Sequence, residues 1–404
     1  MIHTLEQFGQ RITGRRIPLD RTRRYLTDSP SPQTLSTTIK AIDDGDIAAM
    51  VELNEEMEAK DAHLQGVANL RRQALTALEW EIQPAAVGDE RMASEAADFI
   101  QIELDRIEMF PEALEHLATA IGPGISVLEL VWWRGRLVDV IEVPGHRLVG
   151  DQEGGPAIFV ITESESVDGV KLESPKFVVF TPDSRAGYPM RVTITRAQAF
   201  LWIIKHYARA DWTSFAETYG HPVRIAKFKK GVAPAEQDKV QEMLENMGPD
   251  LWAMFTDEVD IQFLEAARNS QPFSELIQWV EKKQSILYLG QTLTTEAGPV
   301  GSLALGRVHD NVRASLTLSD IANERRMVRR QIIAPMVRFR WPGVDVPMPT
   351  FTRRIIEEKN LDQERLEMEQ LRFALELNLP VDDRVKYERL RMPMPTSDAA
   401  EADT

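Results

Sequence analysis

The stretch TRAQAFLWIIKHYARADWTSFAETYGHPVRIAKF, Thr195 to Phe228, decides the fold. Thr195 suits a helix N-cap, and Ala197, Leu201, Ile204, Ala208, Trp212, Phe215 and Tyr219 recur at steps of three and four. That spacing predicts one long helix with a continuous apolar stripe. Gly220 and Pro222 end it, and VRIAKF then alternates as a strand. Ala235 to Met247 reads as a short helix with Val240, Met243, Leu244 and Met247 inward, stopped by Gly248-Pro249, and VDIQFL (259–264) supplies a further strand. Pro272 to Leu289 is helical again, with Phe273, Leu276, Val280 and Leu287 on one face. A small βαβ-like unit is thus set between two longer helices.

Downstream, GQTLTTEAGPVGSLALG (290–306) has four glycines, a proline and no lysine, which marks a soft loop between helical segments. A helix from Arg307 to about Pro335 follows, its seam formed by Val308, Val312, Leu316, Ile321, Val328, Ile332 and Met336; Pro335 is expected to kink or end it. A last charged helix covers Leu361 to Leu377, ahead of the acidic tail TSDAAEADT.

Upstream, the Ser/Pro run SPSP (29–32) precedes a helical stretch from Leu35 to Trp80 that breaks near Asp43 to Asp46. Met92, Glu95, Phe99, Ile102 and Ile107 support another helix, and Pro111 begins a short one through Ala120. After Gly122 to Gly124 the period changes to two: ISVLELVW, the hinge Arg134-Gly135, then RLVDVIEV, a hairpin. AIFVIT and KFVVFT are further strands. The fold class is therefore α+β, with helices grouped against an antiparallel sheet.

A chain of 404 residues with 43% hydrophobic and 27% charged residues has ordinary globular composition and length for more than one core. Zero cysteines exclude disulfides, thiolate metal sites and thiol nucleophiles. No stretch reaches the roughly 18 apolar residues of a membrane span, so no membrane partner is expected. The net charge of −16 argues against a tight, sequence-reading DNA binder, which neutralises phosphates with a clustered basic face. The charge is uneven: Arg11, Arg15, Arg16, Arg21, Arg23 and Arg24 make residues 1–34 a basic arm.

Chemistry-bearing patterns are sparse. No P-loop, HExxH, GxSxG or GxGxxG is present, so no cofactor, metal or catalytic residue is expected. Glu52, Glu55, Glu56 and Glu58 read as a solvated helix face, and His309-Asp310, adjacent on a helix, do not face one another. Within Trp132-Trp133 alternation makes one ring core. Arg325, Arg326, Arg329 and Arg330 suit either nucleic acid or acids of the chain and a neighbouring subunit.

Three strings in order, GISVLELVW (124–132), DWTSFAETYGHPVRIAKF (211–228) and EKKQSILYLGQTLTTE (281–296), resemble the Mu-like branch of tailed-phage portal proteins, a likeness spanning most of the chain from about Leu35. The resemblance implies a wing (35–190), two stem helices (191–221 and 270–290), a clip (222–269), a tunnel loop (291–305), a long wing or crown helix (306–345) and a crown helix with the tail (346–404). It further implies a ring, twelve subunits in the family, at one capsid vertex of the virion after assembly in the host cytoplasm. Double-stranded DNA would pass through it non-specifically. The terminase large subunit, the major capsid protein and head-tail adaptor or neck proteins would be its partners.

By the same resemblance Gln291, Thr292, Thr294, Thr295, Gly298, Gly301 and Ser302 would line the channel, Arg224, Lys227, Lys229 and Lys230 would dock the motor, and Leu201, Ile204, Trp212, Phe215, Phe273 and Val280 would pack the stem. Two physical arguments agree with that role. A closed ring needs two different faces per subunit, and Trp202, Ile203, Trp279 and Ile286 lie off the main stripes. An acidic channel also avoids holding its cargo. The competing classes are another ring-forming virion adaptor or scaffold component, and a carboxylate-based hydrolase.

Overall fold

The structure is a computed structural model that describes residues 30–151, 157–162, 169–182, 193–219, 224–228, 233–246, 252–256, 271–292, 303–355 and 361–377. Three helices open it: α1 (Pro32–Asp43), α2 (Ile47–Lys60) and α3 (Ala62–Thr76). The expected break falls where Gly45 adopts φ 98° and Asp46 caps α2 through Ala49 N. A second break, unread in the sequence, falls at Asp61, which closes α2 and caps α3 by accepting from the His63 and Leu64 amides. Strand β1 (Trp80–Gln83), α4 (Glu90–Asp105) and α5 (Phe110–Ala118) follow, β1 replacing the helix expected to run to Trp80.

The hairpin of β2 (Ser126–Trp133) and β3 (Arg136–Val143) turns at Arg134 (φ 50°) and Gly135 (φ 79°), the left-handed pair that matches the twist of a two-residue hairpin. Next come β4 (Leu148–Gly150), β5 (Ile158–Val160), β6 (Val170–Lys171) and β7 (Phe177–Phe180). Order β3-β2-β7 makes one antiparallel sheet and β4-β5-β6 another.

Strand β2 is central and buried on both faces. Leu128, Leu130 and Trp132 join a core built with α4 and α5, while Val127 joins a second core with α1, α2 and α3. Full burial of each such side chain contributes about 1.5–3 kcal/mol. The two tryptophans separate as alternation requires: Trp132 is fully buried and donates Nε1–H to Pro175 O (2.7 Å), whereas Trp133 is exposed. Glu129, also on β2, is buried against Lys176 (2.9 Å).

The second half begins with α6 (Ile194–Tyr219), β8 (Arg224–Phe228), α7 (Pro234–Asn246), β9 (Trp252–Thr256) and α8 (Gln271–Leu289). Strands β8 and β9 pair in parallel around α7, so the βαβ unit between long helices is present. The strand that pairs with β8 is Trp252–Thr256; VDIQFL, expected as a strand, lies outside the described residues.

Helix α9 (Leu303–Val328) continues through one π turn (Arg329–Ile333) into α10 (Ala334–Arg340), and β10 (Thr350–Arg353) returns to pair antiparallel with β1. Pro335 therefore does not end the helix. It lacks the N–H that the carbonyl four residues back would receive, and the wide turn lies directly before it. Gln331 holds that turn to the sheet, accepting from Val179 N and donating to Val179 O, both at 2.8 Å. Ile321, Val328, Ile332 and Met336 of the expected seam are buried; Val312 is exposed. The chain divides at Arg353: residues 354–404 form a separate unit, in which α11 (Leu361–Glu376) is the described helix.

Candidate functional site

Helices α6 and α8 run antiparallel, since Lys205 meets Glu281 while Phe215 meets Phe273 (ring centroids 5.8 Å). The face of α6 turned into the protein is not the stripe read from hydrophobicity. Thr195, Gln198, Ala199, Trp202, Ile203, Lys205 and Ala208 are buried, whereas Ile204 and Trp212 are 39% and 37% exposed and Leu201 and Phe215 half-buried. Trp202 and Ile203, expected off the main stripe, are therefore core. On α8, Val280 is fully buried, Phe273 half-buried, and Trp279 and Ile286 are exposed.

The reason for the rotated face is polar. Asp61, at the elbow of α2 and α3, accepts from Lys205 Nζ on α6 (2.7 Å) and from Gln284 Nε2 on α8 (2.8 Å). Lys205 also pairs with Glu281 (2.9 Å). Burial works to raise the Asp61 carboxyl, but hydrogen bonds from Lys205 and Gln284, the Lys205 charge and the Leu64 amide outweigh it and hold it below the ordinary carboxylate value. One carboxylate thus ties three elements together. The signal was present in the sequence: Thr195, Gln198, Trp202 and Lys205 keep steps of three and four, an in-phase row that a purely apolar template passes over.

A cleft of about 330 Å³ opens beside this cluster, walled by Lys205, Arg209, Trp212, Ile277 and Glu281. His63 Nε2 lies 2.9 Å from Ser285 Oγ and 3.0 Å from Glu281 O. A histidine on a serine suggests nucleophile activation, but Ser285 is fully buried and its hydroxyl donates to Glu281 O (3.0 Å) within the helix. The pair joins α3 to α8; His63 borders the cleft, but the buried Ser285 presents no hydroxyl to a substrate.

Deeper along α8, the Tyr288 hydroxyl is buried, and desolvation pushes its pKa up, helped by the nearby Glu58 charge. Gly122, at φ 142°, allows the close approach here: a Cβ would stand 2.8 Å from Asn54 Oδ1 and 3.3 Å from Tyr288 Oη. Thr195 Oγ1 donates to the same Asn54 oxygen (2.6 Å).

The other expected site residues divide. Gln291 is 4% exposed and Thr292 half-buried. Thr294, Thr295, Gly298, Gly301, Ser302, Lys229 and Lys230 lie outside the described residues. Arg224 and Lys227 fall on β8, described in backbone alone. Of the four glutamates expected to face solvent, Glu56 is buried with Lys60, and Glu58 binds Arg72 and Asn54, because α2 is surrounded by other elements.

Solved structures share this architecture at the level of fold. A chain in a structure of the virion of the native gene transfer agent particle matches with TM-score 0.54 and 13% identity over 90% of this chain and 100% of that one. A chain in the neck of the empty particle gives 0.52 and 15%, covering 89% and 94%. The fold is therefore the mixed helix-and-sheet fold that those two particle chains share.

Sequence comparison specifies the family. The model described as portal protein of Mu bacteriophage matches residues 51–392, and the chain belongs to that family. The portal protein of Escherichia phage Mu is 30% identical over 330 residues, which cover 79% of this chain and 63% of that protein. The Mu-like prophage FluMu protein gp29 of Haemophilus influenzae is 24% identical over 392 residues, 92% of this chain and 73% of that protein. The chain spans a little under two thirds of the length of the phage Mu protein.

Proposed function

We propose that this chain is the portal subunit of a tailed phage. It forms a homo-oligomeric ring at one capsid vertex of the virion, twelve subunits by family expectation, through which double-stranded DNA is packaged and ejected. Its role is structural, without a catalytic step. In this reading α6 and α8 are the stem, β8-α7-β9 the clip that docks the terminase and later the neck, and residues 291–305 the tunnel loop.

The observation that carries the reading is the pair of apolar rows left outside on the two-helix hairpin. Phe200, Ile204 and Tyr207 lie at steps of four and three on α6, and Leu276, Trp279 and Ile286 at steps of three and seven on α8, all between 39% and 55% exposed. Two such rows on different helices give each subunit two unlike faces, the requirement for a closed ring of heterologous contacts. Light scattering and negative-stain microscopy of the purified chain test it. A closed species with a central hole is expected; a monomer at every concentration would sink the reading.

A further inference from the structure

The outer side of α9 and its π turn carries an unusual concentration of uncompensated positive charge for so acidic a chain. Arg326, Arg329 and Arg330 are exposed, and none pairs with a carboxylate among the described residues. Their neighbours Glu324 and Arg325 are engaged inward: Glu324 with Arg353 (2.6 and 2.8 Å) and Arg325 with Thr352 Oγ1 (2.8 Å). At about 100° per residue, Arg326 leaves the helix on the side opposite Glu324. Gln331, pinned to Val179, fixes the rotation of the turn, so Arg329 and Arg330 also point away from the sheet.

Beside the buried Arg353 a cleft of about 490 Å³ opens between the end of α3, β1, the end of α4 and α5. Glu79, Asp105, Glu108 and Glu115 line it, over an apolar base that includes Trp80. Among the described residues Arg353 is the one basic residue in the lining, and Glu324 pairs with it. Asp105 is held by the Gln101 amide (3.0 and 3.1 Å). Trp80 stacks on Phe351 and meets Phe110 edge-on, which keeps a rigid aromatic wall beside the carboxylates. Carboxylates beside an indole form a receptor for guanidinium groups, by ion pairing and by cation–π contact.

We propose that the face carrying Arg326, Arg329 and Arg330 docks into the cleft of Glu79, Asp105, Glu108 and Glu115 on a second copy of this chain. The inference rests on the ring reading above and deepens it by naming a polar contact between neighbours, separate from the apolar rows of α6 and α8. The two patches are opposite in charge and lie on different elements, the arginines on α9 and its π turn, the carboxylates around β1, α4 and α5. That is the arrangement a head-to-tail ring contact needs and an isologous dimer does not.

The test uses the 404-residue chain, which contains no cysteine. Rings of the double variant Arg329→Cys, Glu108→Cys are oxidised and run on a non-reducing gel; a ladder of covalent multimers is expected, and neither single variant should give more than dimers. In parallel, the triple variant Arg326→Glu, Arg329→Glu, Arg330→Glu and the double variant Glu108→Arg, Glu115→Arg should each move ring dissociation to lower salt, while combining them restores it.

Intact rings with no ladder and unchanged salt dissociation overturn this contact and leave the ring reading standing. Absence of any oligomer in the unmodified chain overturns the ring reading itself. The third outcome is measured with a fluorescein-labelled DNA duplex: if the arginine variant keeps its rings but loses salt-dependent binding of the duplex, the face serves DNA and the proposal fails. Melting curves verify that each variant folds, as expected for exposed positions.

Discussion

Asp61 and Lys205 stand 2.7 Å apart, 2% and 4% exposed, and join the elbow between α2 and α3 to the middle of α6. A buried pair of this kind contributes little against a well-packed apolar pair but leaves an expensive charge when broken. Lys205→Met is therefore expected to destabilise the subunit by about 3–5 kcal/mol, because Asp61 would stay buried with Gln284 as its remaining side-chain donor. Urea unfolding of the single variant and of Asp61→Leu with Lys205→Met measures it. The double variant should recover part of the loss, since Asp61→Leu removes the buried charge but also the α3 cap and the acceptor for Gln284. A double variant no more stable than Lys205→Met would show that the unpaired charge is not the main cost.

The same carboxyl sets an acid limit. Because its folded pKa lies below the unfolded value, its contribution is complete above about pH 4 and lost as pH falls through the folded value. Asp61→Asn should flatten the dependence of stability on pH below about pH 4, with no change of slope near neutrality. Unfolding midpoints measured from pH 2 to 7 decide it, and parallel profiles for the two proteins would contradict the assignment.

Gly122 is expected to be intolerant of any side chain. Gly122→Ala sets a methyl against Asn54 and close to Tyr288 at a positive φ, so a loss of about 1–3 kcal/mol is expected from overpacking alone. Thermal unfolding reads this out. A melting temperature within a degree of the parent would mean the contact relaxes freely.

Trp279→Ala together with Ile204→Ala removes exposed apolar surface from both outer rows. Monomer stability should change by less than about 1 kcal/mol, as for surface positions, while the ring should fail to form or should dissociate on dilution. Sedimentation velocity beside a melting curve separates the two effects. A fall in melting temperature without loss of assembly would place these residues in the subunit core.

Deleting Thr295 to Val300 should spare both fold and ring, since loop-closure cost varies by only about 0.6 kcal/mol per doubling of length. The expected defect is in DNA packaging or ejection. Replacing Thr292, Thr294 and Thr295 by lysine should slow passage in a way that fades as salt rises, because new cations would meet phosphates. Normal packaging by these variants would remove the loop from the channel.

The order of elements was legible because it depends on local rules. The two-residue hinge Arg134-Gly135, a βαβ unit between two long helices and the long helix over Val328 and Ile332 each follow from period and turn chemistry. Strand β1 was not legible. Four residues carry no decisive period, and their partner Thr350–Arg353 lies at the far end of the same unit. The wide turn before Pro335 was half legible: the proline announced a disturbance, but packing of Ile332 and Ile333 on the sheet let the helix absorb it.

By itself, then, the sequence determined the class, the succession of helices and strands, and the family likeness, all carried by residues acting on their near neighbours in the chain. Which side of α6 faces inward was decided only by tertiary structure. Apolar spacing favoured the row of Leu201, Ile204 and Trp212, yet one carboxylate at Asp61, far away in the chain, drew Lys205 and Gln284 into the interior and turned that row toward solvent. The physical reason is that a buried charge must be paired wherever its partner lies, and only the folded chain brings the partners together.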